Sequence, residues 1–504
     1  MSGGDVQTGT IETDIPARLD RLPWSRWHWT ILIGLGTVWI LDGLEVTIVG
    51  NVASRIGESG SGLDISATSI SGVGATIYVI GACVGALFFG WLTDRLGRKK
   101  LFMITLAVCL LSTAMTAIAF FPAWFFIFRF FTGFGIGGEY AAINSAIDEL
   151  IPSSHRGRVD IAVNGTYWLG AIGGALLSIV ALNESILPGN VGWRVCFALG
   201  VVFGTVILLV RRNVPESPRW LIIHGREQQA EAIVADAEAK VRAQHGGAAL
   251  PEPQGTLTIR QRTSIPLLRM ARTIVTLYPK RTTLGLSLFI GQAFLYNAIT
   301  FGYAHILVKL FDVPSGHTGY YFAVIAFGNL IGPLALGPLF DTVGRRVMIS
   351  GTYVLSGVLL AVTALLTRDG VLTATTMTVC WCVVLFFAST GASSAYLTVS
   401  EVFPMETRAL AIAIFYAVGT GVGGAVGPLV FSDLTKDGDA GKVALAFLIG
   451  AILMVAGGVV AFFLAVKAER QSLESIARPL TAEDAERDDR HPHGGRPGQP
   501  APAT

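Results

Sequence analysis

Twelve apolar stretches, each about twenty residues long or longer, constrain this chain more than any other feature of its sequence. In chain order they are Trp29–Gly50, Thr68–Leu92, Leu101–Phe121, Trp124–Ile147, Val159–Leu182, Val191–Val210, Thr282–Val308, Thr318–Phe340, Val347–Leu366, Leu372–Thr398, Ala409–Phe431 and Val443–Val466. A helix of about 20 residues crosses the hydrocarbon core of a bilayer. Only 14% of the residues are charged, whereas soluble domains have about 25%. The sequence therefore predicts an all-α membrane protein with twelve transmembrane helices, surrounded by lipid.

Basic residues are unevenly distributed among the loops that join these stretches. They cluster after the second, fourth and eighth stretches, as Arg95, Arg98, Lys99, Lys100, Arg156, Arg158, Arg345 and Arg346. The loop after the third stretch contains none. Short loops rich in Lys and Arg stay on the cytoplasmic side of a membrane. We therefore predict a multi-pass protein of the cell membrane, with both termini and the long central loop in the cytoplasm.

The chain divides into two groups of six stretches and three polar segments. We predict a cytoplasmic N-terminal tail over residues 1–28, a six-helix bundle over 29–211, a cytoplasmic central loop over 212–281, a second six-helix bundle over 282–466 and a cytoplasmic tail over 467–504. Alternating charges and alanines in Arg226–Gln244 predict a solvated amphipathic helix. The low-complexity end of the chain predicts that the last segment is largely disordered.

The residues that several kinds of chemistry require are missing from this sequence. All five cysteines lie inside apolar stretches, and no histidine cluster accompanies them. No phosphate-binding loop with a terminal Lys-Ser/Thr occurs, and no nucleophile–base set supports catalysis. We therefore predict no enzymatic activity, no metal or cofactor and no nucleic-acid partner. We expect the chain to function as a monomer.

Two short charged motifs occur once in each half of the chain. GWLTDRLGRKK contains Asp94, and GPLFDTVGRR contains Asp341, which follows Asp94 by 341 − 94 = 247 residues. ELIPSSHR begins at Glu149 and EVFPMETR begins at Glu401, an offset of 401 − 149 = 252 residues. Two matches at nearly the same offset predict parallel six-span repeats. In proteins built from such repeats, ligands bind between the repeats near the middle of the membrane.

These motifs, together with RFFTGFGIGGE and PESPRWL, make the chain resemble the major facilitator superfamily, and within it the sugar porters and related metabolite–proton symporters. The resemblance covers nearly everything between about Trp29 and Ile476. It implies that charged residues at the inner ends of the spans latch the two halves together, while glycines allow tight turns. The alternative is that these residues only set topology and hairpin turns. The residues of this predicted cytoplasmic gate are Gly90, Asp94, Arg95, Gly97, Arg98, Glu149, Arg156, Glu216, Arg219, Asp341, Gly344, Arg345, Glu401 and Arg408.

Charged residues inside the apolar stretches are costly unless they are paired or hydrated. The first span contains Asp42 and Glu45, and the fourth contains Arg129 at a matching depth. We predict that an acid pairs with Arg129 and that protonation of this acid breaks the pair, which would couple protons to transport. Resemblance to the sugar porters favours Glu45 as the proton carrier, whereas the pattern D-G-x-[DE] of the metabolite symporters leaves Asp42 as a competitor. The alternative is a static buried pair.

The resemblance also implies which residues contact substrate. Gln292 and Asn297 match polar positions of the sugar-porter motif in the seventh span, Asn164 replaces a usual Gln, and Tyr396 replaces a Trp. Glu139 lies where some metabolite symporters have a GGE sequence, so it is either a substrate contact or a packing residue. Because other positions of the sugar motif are altered, a small polar metabolite other than a standard hexose becomes plausible.

Together these features predict a secondary active transporter that works by alternating access. We expect proton-coupled symport of a small polar organic solute, either sugar-like or an organic acid. Two alternatives stay open at this point. One is a proton-driven exporter of drugs or metabolites, and the other is a nutrient sensor of the same fold that does not transport.

Overall fold

The computed structural model of the chain is mostly helical. It describes residues 7–482 except for 59, 67–68, 184, 213, 254, 263–266, 314–317 and 436–437. The predicted disorder of the last segment falls largely on residues 483–504, which lie outside the described residues. Residues 467–482 of that segment include the short helix Leu473–Ile476 and bury Leu480 and Ala482.

Twelve long helices coincide with the twelve predicted spans. The N-terminal half contains Arg26–Ile56 (α1), Ala75–Leu96 (α2), Arg98–Ala117 (α3), Pro122–Leu150 (α4), Arg156–Ala181 (α5) and Gly189–Arg211 (α6). The C-terminal half contains Pro279–Phe311 (α7), Thr318–Thr342 (α8), Arg345–Arg368 (α9), Ala374–Val402 (α10), Met405–Thr435 (α11) and Ala440–Leu464 (α12). Over the described residues, ten of these helices are long and apolar enough to cross a membrane. The predicted all-α fold with twelve spans is confirmed.

Local sequence signals explain where several of these helices begin and end. Pro122 and Pro279 lie in the first turns of α4 and α7, where a missing backbone N–H removes no helical hydrogen bond. Gly97 stands alone between α2 and α3 with φ 88°, and Gly344 precedes α9 with φ 109°. A side chain would be strained at these angles. The two glycines therefore permit the tight hairpins that the repeated motif predicts.

The two halves each form a bundle, and they meet along two helix pairs. In the N-terminal half α4 packs on both α2 and α3, and in the C-terminal half α9 packs on α12 and α7 on α11. Between the halves, α2 packs on α11 and α5 packs on α8. Glycines allow the closest approaches, because a β-carbon at Gly170 of α5 would overlap the carbonyl oxygen of Ile40 of α1. A site between the halves is thus framed by helices of both repeats.

The segments outside the spans form a layer on one face of the bundle, which we call the tail face. The predicted amphipathic helix is present as Glu227–Gln244. Strand β1 (Gln7–Thr13) pairs antiparallel with strand β2 (Leu257–Arg262). The remaining elements are the short helices Ile15–Asp20, Pro218–Ile223 and Leu267–Arg272, and the π-helical turns Thr273–Leu277 here and Ile70–Gly74 ahead of α2. The strand pair was not predicted, because each strand completes its hydrogen bonds only with a partner nearly 250 residues away.

The N-terminal tail is bound to the central loop by charge as well as by the strand pair. Glu238, on the exposed helix, accepts hydrogen bonds from Arg18 at 3.1 Å and from Arg21 at 2.5 Å. These two arginines hold the pKa of the Glu238 carboxyl below its usual value even though partial burial opposes them. The N-terminal tail therefore lies against the central loop just before the start of α1.

Candidate functional site

A buried ion pair joins the first and fourth spans. Arg129 Nη1 of α4 donates a hydrogen bond to Glu45 Oε1 of α1 at 2.6 Å, and both side chains are only 2% exposed. The Arg129 guanidinium also lies 4.8 Å from the centre of the Tyr78 ring. The structure thus brings together Arg129 and Glu45, the acid that the sugar-porter resemblance favours. The role of this pair in proton coupling stays a prediction.

A second buried ion pair lies nearer the tail face in the same half. Arg211 Nη2, at the end of α6, donates to Glu139 Oε2 of α4 at 3.2 Å. Thr105 of α3 donates to the other carboxylate oxygen at 3.4 Å. Both oxygens of Glu139 are therefore engaged within the N-terminal half, which favours the packing interpretation of Glu139. The sequence did not identify Arg211 as a partner, because it is the last residue of the predicted N-terminal bundle and lies beyond the apolar stretch Val191–Val210.

Asp42 is a third buried carboxylate in this region and belongs to neither of these ion pairs. It lies one turn before Glu45 on α1, is 1% exposed, and its Oδ2 has no hydrogen-bond partner among the described residues. Its electrostatic neighbours include Glu139, Tyr140 and Arg211. Trp39, one turn earlier on the same helix, has a buried indole N–H that is likewise without a partner in the described part of the chain. An acceptor and a donor without partners therefore lie side by side on α1.

Aromatic rings from both halves meet around Trp39. Its ring stacks on Tyr140 of α4 with centroids 4.6 Å apart and meets Tyr396 of α10 edge to face at 5.5 Å. Tyr396 in turn packs against Phe289 of α7 at 4.8 Å, and Tyr140 against Tyr416 of α11 at 4.7 Å. We call these five residues the central aromatic cluster. It spans the interface at which the repeat architecture predicts ligand binding, and of the predicted substrate contacts it contains Tyr396.

The other predicted substrate contacts are more scattered. Asn164 of α5 donates to Asn144 Oδ1 at 3.0 Å and to Asp160 Oδ1 at 3.2 Å. Gln292 of α7 is partly exposed. The side chain of Asn297 lies outside the described residues. A further aromatic contact crosses the interface between α5 and α7, where Trp168 stacks on Tyr296 at 5.9 Å.

The repeated motifs form matching ion pairs on the tail face. In the C-terminal half, Arg345 donates to Glu401 at 2.9 and 3.0 Å and to Asp341 at 2.9 Å. In the N-terminal half, Arg98 donates to Glu149 at 2.7 Å. All four pairing residues of the two copies, Arg98, Glu149, Arg345 and Glu401, are nearly or fully buried. The sequence repeat is therefore also a repeat of side-chain pairing.

Several of these groups also join the two halves. The backbone N–H groups of Gly157 and Arg158, at the start of α5, donate to the two carboxylate oxygens of Asp341 at 3.1 and 2.9 Å. Arg408 Nη1 of α11 lies 3.6 Å from Glu149 Oε1 of α4. These contacts join the two halves on the tail face, at the ends of the spans.

The N-terminal copy of the motif contributes a close helix contact but no hydrogen bond between the halves among the described residues. A β-carbon at Gly90 of α2 would lie 2.5 Å from the β-carbon of Ala413 of α11, so these helices need glycine to touch. Asp94 lies near Arg98 and Arg95, and its carbonyl oxygen accepts from the indole of Trp220 at 2.7 Å. Arg95 lies over the Trp91 ring at 4.2 Å. Among the described residues, the Asp94 carboxylate forms no hydrogen bond to the other half.

Glu216 caps the start of α3. Its carboxylate accepts the backbone N–H groups of Arg98 at 2.9 Å, Lys99 at 3.2 Å and Ser217 at 2.9 Å. Those of Arg98 and Lys99 are among the N–H groups that a helix start leaves unpaired. Burial raises the pKa of the Glu216 carboxyl, against the lowering effect of these donors. Glu216 therefore orders the hairpin that contains Gly97.

The two tails tie into the same network through Arg156 and Arg219. Asp20 of the N-terminal tail lies 3.4 Å from Arg156 and 3.2 Å from Arg219. Glu474 of the C-terminal tail pairs with Arg219 at 2.9 Å. Burial would raise the pKa of the Glu474 carboxyl, but Arg219 and the other donors outweigh burial and hold the pKa below its usual value. Sequence reasoning found the two arginines but neither tail partner.

The chain is similar to known transport proteins over most of its length. The profile of the family described as sugar (and other) transporter matches residues 41–480. The niacin transporter NiaP of Acinetobacter baylyi is 25% identical over 465 residues, which cover 92% of this chain and 99% of that protein. The putative metabolite transport protein YyaJ of Bacillus subtilis is 29% identical over 410 residues, covering 80% and 85% respectively. The structure of the E. coli proton:xylose symporter XylE, bound to 6-bromo-6-deoxy-D-glucose, matches with a TM-score of 0.73 at 16% identity, covering 91% and 99%.

Proposed function

Because the chain belongs to the sugar (and other) transporter family of the major facilitator superfamily, we propose that it is a proton-coupled symporter of a small polar organic solute. The family makes it a transporter of sugars or other metabolites and not an enzyme. Proton coupling and the kind of solute are our proposals. They rest on the charges and rings between α1, α4 and the C-terminal half.

The charge balance inside the N-terminal half carries the proposal of proton coupling. Asp42, Glu45 and Glu139 share this region with two guanidinium groups, those of Arg129 and Arg211. In the described part of the chain a third ionised carboxylate has no ion-pair partner, and an unpaired charge in a membrane interior costs several kcal/mol. Binding one proton removes this cost. We therefore propose that Asp42 takes up the proton or passes it to Glu45, and that protonated Glu45 releases Arg129.

Release of Arg129 is the step that would link the proton to the conformational cycle. Arg129 lies on α4, and α4 also carries Tyr140 of the central aromatic cluster and Glu149 of the gate. A change in the pairing of Arg129 alters the energy of one arrangement of α1 and α4 relative to another. The network on the tail face defines the arrangement that is closed on that side. We propose that this face is cytoplasmic, in the cell membrane, because the basic loops lie there.

The central aromatic cluster favours the proposal that the solute is small and has a flat or ring-shaped body. Aromatic side chains offer apolar faces, and among the described residues the Trp39 N–H and the Asp42 oxygen offer one donor and one acceptor. Niacin and xylose, the solutes named for NiaP and XylE, are both small rings with polar substituents. We propose a solute of this size, sugar-like or an organic acid. The protein is expected to work as a monomer.

Uptake into proteoliposomes tests the proposal. Purified protein would be given labelled xylose, nicotinate and a series of small organic acids, with the outside either more acidic than the lumen or at equal pH. We expect at least one solute to accumulate only when the outside is acidic. Accumulation that is indifferent to the gradient would overturn proton symport. Efflux from loaded vesicles driven by protons would indicate an exporter, and binding without any flux would indicate a sensor.

Variants of the three charged residues locate the coupling site. Asp42→Asn, Glu45→Gln and Arg129→Ala are each expected to abolish gradient-driven accumulation, because each removes a group from the proton-linked balance. Exchange of labelled for unlabelled solute at equal pH separates lost coupling from lost binding. Asp236→Asn serves as the control, since Asp236 lies on the exposed helix and pairs with Lys240 at 2.7 Å. If Asp42→Asn still accumulates solute, Asp42 is not the proton acceptor.

A further inference from the structure

A second group of buried polar side chains lies between α4 and α5, next to the ion pairs of the tail face. Asn144 and Asp148 are one turn apart on α4, and Asp160 and Asn164 are one turn apart on α5. The first three are fully buried and Asn164 is 6% exposed. The Asn164 amide bridges the helices by donating to Asn144 Oδ1 at 3.0 Å and to Asp160 Oδ1 at 3.2 Å. We call these four residues the inner polar cluster.

The inner polar cluster has acceptors without donors. Both carboxylate oxygens of Asp148, Oδ2 of Asp160 and Oδ1 of Asn164 are buried and have no hydrogen-bond partner among the described residues. The hydroxyl of Ser145, next to Asn144, is also without a partner there. Leaving a buried carboxylate oxygen unpaired costs the full penalty of removing it from water. Four oxygens that lack a donor, three of them on carboxylates, therefore point to a missing cation.

The arginines nearest to this cluster donate no hydrogen bond to these four oxygens. Arg345 is engaged by Glu401 and Asp341 at 2.9–3.0 Å. Arg156 donates through both terminal nitrogens to Gln471 and Asp20, and its Nε forms an ion pair with Asp148 Oδ1 at 3.9 Å that is too long for a hydrogen bond. Arg408 Nη1 lies 3.6 Å from Glu149 Oε1, so these two groups form an ion pair without a hydrogen bond. The charged groups around the two aspartates are thus Arg156, Glu149, Asp341, Arg345, Glu401 and Arg408.

We propose that the inner polar cluster binds one small monovalent cation, either a proton shared by Asp148 and Asp160 or a sodium ion. Carboxylate and amide oxygens are suitable partners for both. The site would lie in the N-terminal half, where α4 and α5 pack against α10 and α11. This cation site is separate from the Glu45–Arg129 pair and does not depend on which solute is carried.

Thermal unfolding of the full-length protein in detergent tests this site without any transport assay. Wild type and Asp160→Asn would be compared between pH 5 and pH 8 in choline chloride, and again with sodium chloride in its place. A proton bound only by the folded state stabilises at low pH and its contribution is lost as the pH rises. We therefore expect the melting temperature of Asp160→Asn to exceed that of wild type at pH 8, by about 2–4 °C, and the difference to close at pH 5.

The pH series and the comparison of the two salts lead to different conclusions. A pH-dependent difference supports a proton, whereas a sodium-dependent rise in wild type that Asp160→Asn lacks supports a sodium ion. Asp148→Asn provides the same comparison if Asp160→Asn does not fold, and Asp236→Asn is the surface control. A melting-temperature difference that is the same at every pH and in both salts would overturn the proposal, because the cluster would then be a static polar contact.

Discussion

At the scale of single residues, arginines buried among the spans have acidic partners from other helices. Arg129 pairs with Glu45 across 84 positions of sequence, and Arg211 pairs with Glu139 across 72. Such pairs do little for net stability relative to an apolar pair, but breaking one leaves an uncompensated charge. The changes in the free energy of unfolding caused by replacing the two residues of a pair should therefore be strongly non-additive.

Replacement of Glu139 tests this expectation at the buried pair that includes neither of the proposed proton carriers, Asp42 and Glu45. Glu139→Gln leaves the Arg211 guanidinium buried without its counter-charge and should lower the free energy of unfolding by about 3–5 kcal/mol. The double variant Glu139→Gln/Arg211→Gln should recover much of that loss. Unfolding in detergent measures both. Losses that simply add in the double variant would show that the two residues are not coupled.

A histidine outside the membrane predicts a pH dependence of stability. His224 ends the helix Pro218–Ile223, stacks on Trp220 at 4.2 Å and donates from Nδ1 to the Trp220 carbonyl oxygen at 2.9 Å. Burial lowers the pKa of His224 from 6.5 to about 4. Between these values the unfolded chain binds more protons than the folded chain, so the free energy of unfolding falls as the pH falls, by about 1–3 kcal/mol in total.

A matched variant isolates this effect. His224→Gln should flatten the fall in melting temperature between about pH 6.5 and pH 4. His245→Gln is the control, because His245 ends the next helix and makes the same contact with the Val241 carbonyl oxygen at 2.9 Å but is exposed. An identical pH profile for wild type and His224→Gln would contradict the prediction.

At the scale of helices, glycines decide how closely the spans approach. Gly170 of α5 and Gly43 of α1 both face backbone of the opposite helix, where a β-carbon would overlap a carbonyl oxygen. A β-carbon added at Gly173, one turn away on α5, would meet no atom within 4 Å among the described residues. Backbone cannot move aside as a flexible side chain can. The two glycines of α5 should therefore respond in opposite ways to the same methyl group.

The prediction compares Gly170→Ala with Gly173→Ala. Gly170→Ala must separate α1 from α5 and should destabilise by about 1–3 kcal/mol or more, with lower yield of monodisperse protein in size-exclusion chromatography. Gly173→Ala should be neutral or stabilising by up to about 1 kcal/mol, because alanine favours the helix. Equal behaviour of the two variants would show that the close contact between α1 and α5 does not limit folding.

At the scale of the whole molecule, the two repeats carry the same motif but use it unequally. Asp341 accepts two backbone hydrogen bonds from α5, across the interface between the halves. Asp94, its counterpart, forms no such bond among the described residues. On the tail face the two halves are therefore joined by the hydrogen bonds between α8 and α5, by the Arg408–Glu149 pair between α11 and α4, and by the contact of Gly90 with Ala413 between α2 and α11.

This asymmetry predicts unequal effects on the conformational equilibrium. Asp341→Asn weakens two hydrogen bonds to a charged group, worth about 1.5–3 kcal/mol, and should favour the form open on the tail face by about ten- to a hundredfold. Asp94→Asn should have a smaller effect. Labelling of single cysteines placed on α5 and α11 from each side of the membrane measures the equilibrium. A larger shift with Asp94→Asn would contradict the assignment.

Much of the architecture was predictable because its causes are local. Each span is a continuous apolar segment, and each hairpin of the repeated motif has a glycine where the backbone needs a positive φ. Pairing of α1 with α4 could also be anticipated, since Glu45 and Arg129 are costly alone. What could not be anticipated is the partner of Glu139, because Arg211 follows the last apolar stretch of the N-terminal bundle and carries no signal of burial in the sequence. The spacing of Asn144, Asp148, Asp160 and Asn164 was a usable signal, since each pair is one helical turn apart within or beside an apolar span.

The sequence by itself thus determined the twelve helices, their division into two repeats and the kinds of charge available at each level of the membrane. Hydrophobicity and backbone geometry act over a few residues, so they can be read along the chain. The tertiary structure alone decided which acids find an arginine, which carboxylate is left over among the described residues, and that the N-terminal tail pairs with the central loop. Those outcomes depend on helices far apart in sequence meeting at one depth, where the low polarity of the interior makes every unpaired charge expensive.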